Sequence, residues 1–305
     1  MELCLAVDIG GSKMAAGLVT RDGDLLDHER VATPRSGDAE DLFAALASVV
    51  GTVMATAPEA TEAPAAAERR RLVACGVGCG GPMDLEAGTV SPLNIPAWRD
   101  FPLRARVADL TGLPTALDND AKALALAEGW VGAARGRRNY LAMVVSTGVG
   151  GGIVSDGRLL HGASGNAGHV GHLIVEPEGR KCACGARGCL EAEASGTAIA
   201  AVTGRPPAEA PPEVVARCGR MVGRAVASLV SALDIDIIVV AGSVALGYGA
   251  PFFAAANEEL RARACLSFTR SASIVPAGLA DRGPLVGAGA VGWHGGGADV
   301  LGAGR

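Results

Sequence analysis

Apolar residues fall in short, nearly unbroken runs at 3–9, 72–77, 140–145 and 235–241, and each is followed within three residues by glycine. Runs of that length bounded by turn residues read as strands buried on both faces. The first is followed by strands at 14–20 and 25–31, joined by Arg21-Asp22-Gly23-Asp24, which is a hairpin signal. The third is followed by 146–152, read as a glycine turn, then by a strand at 153–155 and a turn at Asp156-Gly157. A strand, a glycine turn and a hairpin therefore occur twice, near residues 8 and 147. That repetition predicts two related α/β halves with a cleft between them. Helical spacing marks 38–57, with Leu42, Phe43, Leu46, Val49, Val50 and Val53 on one face and Asp38 available as a cap. Further helices are predicted at 102–110, 119–132, 214–233 and 285–293, with a short strand at 115–118. Residues 58–68, rich in Ala, Pro and Glu, read as an exposed connection.

Composition narrows the class. A chain of 305 residues, 49% apolar, has room for two globular domains and is not a disordered one. Its 44 glycines are about twice the usual share, which points to many tight turns, some beside a ligand. A net charge of −5 gives no general attraction to nucleic acid, and the arginines at 69–71 and 135–138 read as solvated faces. No apolar stretch reaches the roughly 18–20 residues of a membrane span, and no basic lead-in precedes the first apolar run. A cytoplasmic protein is expected, with neither nucleic acid nor membrane as partner. Disulfides are disfavoured there, so clustered cysteines need another explanation.

Three glycine turns follow three buried strands. In Asp8-Ile9-Gly10-Gly11-Ser12-Lys13, bare backbone can approach phosphate oxygens, and the aspartate can hold a magnesium ion through water; the same pattern also serves a plain hairpin. Thr147-Gly148-Val149-Gly150-Gly151-Gly152 is more specific, because glycines so dense weaken a strand unless something needs bare backbone there; phosphate contact is the favoured reading. Ala241-Gly242-Ser243 precedes a helix, and either lines an adenosine pocket or joins strand to helix.

Two further groups carry chemistry. His172, Cys182, Cys184 and Cys189 lie close together in a glycine-rich, charged stretch, and four such ligands suit tetrahedral zinc. The remaining cysteines, Cys4, Cys75, Cys79, Cys218 and Cys265, are isolated and read as buried thiols. Asp118-Asn119-Asp120 ends a strand and opens a helix, so it is either a helix cap or the source of a general base.

Taken together these motifs resemble the ROK family of sugar kinases and repressors over nearly the whole chain. The most specific match is Ala167-Gly168-His169-Val170-Gly171-His172, then Cys182-Ala183-Cys184-Gly185, Gly188-Cys189-Leu190-Glu191 and Ser195-Gly196. The resemblance implies a two-domain α/β fold of the actin/hexokinase-like (ribonuclease H-like) type, with a cleft between domains and a zinc-binding loop. Residues 1–118, rejoined by the last helix at about 285–305, would form one domain, and 119–284 the other.

The resemblance also implies roles. Asp120 would take the proton of a sugar hydroxyl, usually the one on carbon 6, as it attacks the γ-phosphate of ATP. Asn119, His169, His172 and Glu191 would contact the sugar, with Gly81 in a loop closing over the ring. Asp8, Gly10, Gly11, Ser12, Lys13, Thr147, Gly148, Gly150 and Gly242 would serve ATP and magnesium. His172, Cys182, Cys184 and Cys189 would hold a structural zinc. Glucose is the expected sugar, and the alternative is N-acetylmannosamine, because His169 stands where family glucokinases carry glutamate. Residues 93–99 look more like the glucokinase branch. Lys122 stands where an amide is common, and either sits near the catalytic segment or points to solvent. A non-catalytic repressor is disfavoured, since the first phosphate strand begins at Leu3. Dimers or tetramers are expected from the relatives.

Overall fold

The computed structural model describes residues 1–34, 37–57 and 70–302. The connection read at 58–68 lies outside the described residues, as does Arg69. The chain begins with β1 (Glu2–Ile9), β2 (Lys13–Thr20), β3 (Leu25–Ala32), α1 (Ala39–Ala55) and β4 (Arg71–Cys79). It continues through β5 (Met83–Asp84), β6 (Thr89–Val90), α2 (Leu103–Thr111), β7 (Thr115–Asn119) and α3 (Asp120–Trp130). Then come β8 (Tyr140–Val145), β9 (Val149–Ser155), β10 (Arg158–Leu159), α4 (Leu190–Ala194), α5 (Gly196–Thr203) and α6 (Pro212–Leu233). The last elements are β11 (Ile237–Ala241), α7 (Ser243–Tyr248), α8 (Ala250–Arg263), β12 (Ser273–Pro276) and α9 (Gly283–Gly295). No helix among the described residues is long and apolar enough to cross a membrane.

Two compact units result. The first comprises residues 1–131, 161–167 and 281–305. Its sheet runs β3-β2-β1-β4-β7, antiparallel from β3 to β1 and parallel from β1 to β7. β1 is buried on both faces. Leu3, Leu5 and Val7 join the core that holds Leu42, Leu46 and Val50 of α1, whereas Ala6 joins Leu285 and Ala288 of α9. Small residues on the second face let α9 lie close on the sheet: a Cβ on Gly76 would collide with the carbonyl of Ala288. The indole of Trp293 donates to the Thr20 carbonyl at 2.9 Å, fixing the helix against β2. Helix α3 packs along α9 and so belongs to this unit.

The second unit comprises residues 132–160 and 168–280. Its sheet runs β10-β9-β8-β11-β12, with the same alternation of two antiparallel and two parallel pairings. The repetition seen in the sequence is thus a repetition of sheet order. Its core is built on α6, where Val222, Val226 and Val230 meet Phe252, Ala256 and Leu260 of α8.

Two expectations need correction. Gly150, Gly151 and Gly152 belong to β9 and not to a turn, which is confined to residues 146–148. These glycines tolerate a strand because the segment at 168–171 lies directly over it. A Cβ on Gly151 would sit 2.8 Å from Val170, and one on Gly168 or Gly171 would strike the β9 backbone. Cys265 is exposed rather than buried, since it follows the last turn of α8.

Candidate active site

In the first unit, the carboxyl ends of three parallel strands come level. Asp8 of β1 pairs with Gly78 of β4, and Gly78 pairs with Asp118 of β7. Gly78 lies between the acidic groups: a Cβ placed there would be in ordinary contact, 3.7 Å from Asp120 Cα and 3.9 Å from Asp8 Oδ1. The buried Asp8 carboxyl is pushed up to about 7, first by its burial and then by the charge of Asp120, and Lys13 offsets this only in part.

Asn119 caps α3, its side-chain oxygen accepting from the Ala121 amide at 3.0 Å. The same amide donates to Asp120 Oδ1 at 2.8 Å, so the helix start fixes that carboxylate. The cap reading of Asp118-Asn119-Asp120 thus holds at Asn119, with the acidic side chain of Asp120 one residue later. The first glycine turn is closed by a bond from Gly10 N to Lys13 O at 2.9 Å. Thr33 braces it, its hydroxyl donating to the Gly10 carbonyl at 2.7 Å.

Asn94 stands over two of the glycine loops: a Cβ on Gly11 would come within 2.8 Å of it and one on Gly80 within 3.5 Å. The carbonyl of Gly81 accepts from Leu93 N at 3.3 Å. Thr33 carries no signal of its own in the sequence, whereas Asn94 falls in the stretch 93–99 noted for its likeness to the glucokinase branch. Lys122 does not reach solvent. It is wholly buried, 3.5 Å from Asp118, and donates to the carbonyl of Gly165. His161 approaches Asp118 from the other side at 3.7 Å.

In the second unit, two of the glycine turns meet. Gly242 has φ 100° and lies against the backbone of Val145, where any Cβ would collide. The hydroxyls of Ser146 and Ser243 are 3.0 Å apart. The corner between α4 and α5 grips the turn after β8. Gly196 N donates to Ser146 O at 2.7 Å, the Thr197 hydroxyl donates to Thr147 O at 2.9 Å, and Val149 N donates to Glu191 Oε2 at 2.9 Å.

The same unit holds the cysteine loop. The ligand atoms of His172, Cys182, Cys184 and Cys189 lie within 4.8 Å of one another. Sγ of Cys184 and Cys189 are 3.7 Å apart, and Cys182 Sγ is 3.7 Å from Nδ1 of His172. A tetrahedron with Zn–S bonds of about 2.3 Å requires ligand separations of about 3.8 Å, so this donor set fits zinc. A disulfide, at about 2.05 Å, does not fit those distances. Nδ1 of His172 faces the thiols, which turns Nε2 to the opposite edge of the ring. The rings of His169 and His172 are near parallel, 19° apart, with centroids 6.2 Å from each other.

Glu193, which the sequence did not single out, clamps the loop from behind. Its carboxylate is almost fully buried and accepts from Arg180 N at 2.6 Å and from the guanidinium of Arg180 at 2.7 Å. The guanidinium of Arg217 on α6 completes the clamp.

Comparison with known proteins gives these clusters a family. The model of the ROK family matches residues 4–292. The N-acetylmannosamine kinase of Escherichia fergusonii is 36% identical over 260 residues, which cover 80% of this chain and 84% of that protein. The ROK hexokinase of Thermus thermophilus is 35% identical and superposes with a TM-score of 0.79 over 96% of this chain and 98% of that one. The ROK glucokinase of Streptomyces griseus, solved with glucose and AMPPNP, is 29% identical, with a TM-score of 0.81 over 96% and 99%. The chain belongs to the ROK family.

Proposed function

We propose that this chain, an ATP-dependent sugar kinase, transfers the γ-phosphoryl group of ATP to the 6-hydroxyl of N-acetylmannosamine. Kinase relatives support the reaction class, and the AMPPNP bound to the Streptomyces griseus enzyme supports ATP as donor. The observation that carries the sugar is His169, beside His172 in the segment that enters the cysteine loop. A carboxylate at that position can only accept hydrogen bonds, which suits a pair of sugar hydroxyls. An imidazole also donates, and so can bond the carbonyl of a 2-acetamido group. The curated relatives carry the name of that substrate, so the alternative to glucose becomes the leading reading.

In this reading Asp120 takes the proton from the sugar's O6 as O6 bonds to the γ-phosphorus, and the bond from that phosphorus to the β-bridging oxygen breaks to release ADP. Asn119 and Glu191 hold neighbouring hydroxyls, and Gly80-Gly81 lies over the ring. The turn from Gly10 to Lys13, with Thr147, Gly148 and Gly150, would bring bare backbone against phosphate, while Gly242 lines the nucleoside side. Asp8 would hold magnesium, which when bound neutralises charge on the β- and γ-phosphates. His172, Cys182, Cys184 and Cys189 would hold zinc, whose contribution is to fix the His172 ring so that Nε2 is available to the sugar.

Glucose remains a second reading, favoured by the likeness to the Streptomyces griseus glucokinase. Incubation with ATP, magnesium and each of N-acetylmannosamine, N-acetylglucosamine, glucose, mannose and allose, with phosphorus NMR of the products, tests the proposal. A 6-phosphate of N-acetylmannosamine formed with equimolar ADP supports it. Phosphorylation of glucose alone transfers the assignment to the second reading, and no product from any sugar refutes both.

A further inference from the structure

We infer that Glu191 is a positioning residue for the donor turn as well as a sugar ligand, so that one carboxylate joins acceptor recognition to nucleotide binding. This rests on the reading of the chain as a sugar kinase. The carbonyls of the turn at 146–149 are held from outside by the Gly196 amide and by both the amide and the hydroxyl of Thr197, and the Ser243 hydroxyl meets that of Ser146. A further bond engages the amide that opens β9: Val149 N donates to Glu191 Oε2 at 2.9 Å.

Gly148 makes room for that oxygen. A Cβ at 148 would lie 2.7 Å from Glu191 Oε2, and the backbone there is not in the left-handed region. A side chain at 148 would therefore push that carboxylate oxygen aside, although the turn's own dihedral angles would accept one.

Glu191 stands in the first turn of α4, whose cap is Cys189, so the carboxylate is anchored at the edge of the cysteine loop. With Oε2 engaged on the amide, Oε1 is the atom that takes a sugar hydroxyl. A sugar bound at Oε1 and a phosphate bound at the turn then share one side chain. Each must alter the affinity of the other by the same factor.

The test uses the full chain, with AMPPNP and magnesium titrated calorimetrically in the absence of sugar and hydrogen exchange read at the Val149 amide. Glu191→Gln keeps an acceptor oxygen for that amide, and Glu191→Ala does not. The expected result is AMPPNP affinity within about threefold of wild type for Glu191→Gln and about tenfold weaker for Glu191→Ala, the loss expected for one charge-assisted hydrogen bond. The Val149 amide of Glu191→Ala should also exchange faster. Gly148→Ala, whose methyl displaces the same oxygen, should release Val149 in the same way and carries the test should Glu191→Ala not fold. Unchanged AMPPNP affinity, or an equally protected Val149 amide, in a folded Glu191→Ala variant overturns the inference. A wild type that phosphorylates no sugar, yet whose AMPPNP binding still depends on Glu191, refutes the sugar-kinase reading and leaves the positioning role standing.

Discussion

The ammonium of Lys122 in α3 lies 3.5 Å from the carboxylate of Asp118 at the end of β7, and both side chains are buried. The pair sits beside Asp120 in sequence, and the Lys122 ammonium also satisfies the Gly165 carbonyl. Removing one partner of such a pair strands a buried charge, which costs about 3–5 kcal/mol. Lys122→Ala is therefore expected to lower stability by about 3 kcal/mol or more, measured as the urea midpoint at constant slope. Asp118→Asn combined with Lys122→Met should recover much of that loss, because an uncharged pair leaves no buried ion.

Asp8 makes stability and activity depend on pH in opposite directions. Its folded-state carboxyl is raised to about 7 from an ordinary 3.8, so the folded chain holds this proton more tightly than the unfolded chain. The stabilising contribution is complete below about pH 3.8 and is lost as pH rises through about 7. Asp8→Asn should melt above wild type at pH 8, and the gap should close by pH 5. Activity should move the other way, with kcat/KM falling as pH drops below about 7, because a protonated Asp8 cannot serve magnesium. Melting curves and initial rates at the same pH values check both halves.

The cysteine loop should bind a single zinc, and elemental analysis of protein purified without chelator reads this directly. Cys184→Ser is expected to weaken metal binding and lower Tm by more than about 4 °C, since a neutral hydroxyl replaces one of the three thiolates that would hold the ion. Purified protein without zinc whose loop thiols all react freely with Ellman's reagent would contradict the assignment.

Gly168 precedes His169 at φ 100° and backs onto the Gly151 carbonyl. Gly168→Ala combines a disfavoured backbone with a collision, and should cost at least about 2 kcal/mol. It should also raise the sugar KM more than the ATP KM, read by steady-state kinetics with each substrate varied in turn.

Much of this was legible in the chain before any coordinates. The strands β1, β4, β8 and β11 are apolar runs with glycine close after each, and their repetition foreshadows the shared sheet order. His172 and the three cysteines could be read from spacing because tetrahedral coordination needs neighbours close in the chain. Other features depend on partners distant in sequence. The glycines of β9 looked like a turn because the segment that lies over them, around Gly168 and Gly171, comes some twenty residues later. Lys122 looked optional because its partner carbonyl is 43 residues away. Glu193 had no motif, since its two arginines come from a loop and from α6. Helix α8 carries a stripe at Phe252, Ala256 and Leu260, but alanines on its other faces blur the period.

The most direct measurement is the ratio of kcat/KM for N-acetylmannosamine to that for glucose, in wild type and in His169→Glu. The account predicts a ratio well above one in wild type and a fall of at least about tenfold when the imidazole becomes a carboxylate, equivalent to about 1.4 kcal/mol of transition-state discrimination. A wild-type ratio below one, or a ratio that His169→Glu leaves unchanged, would contradict it.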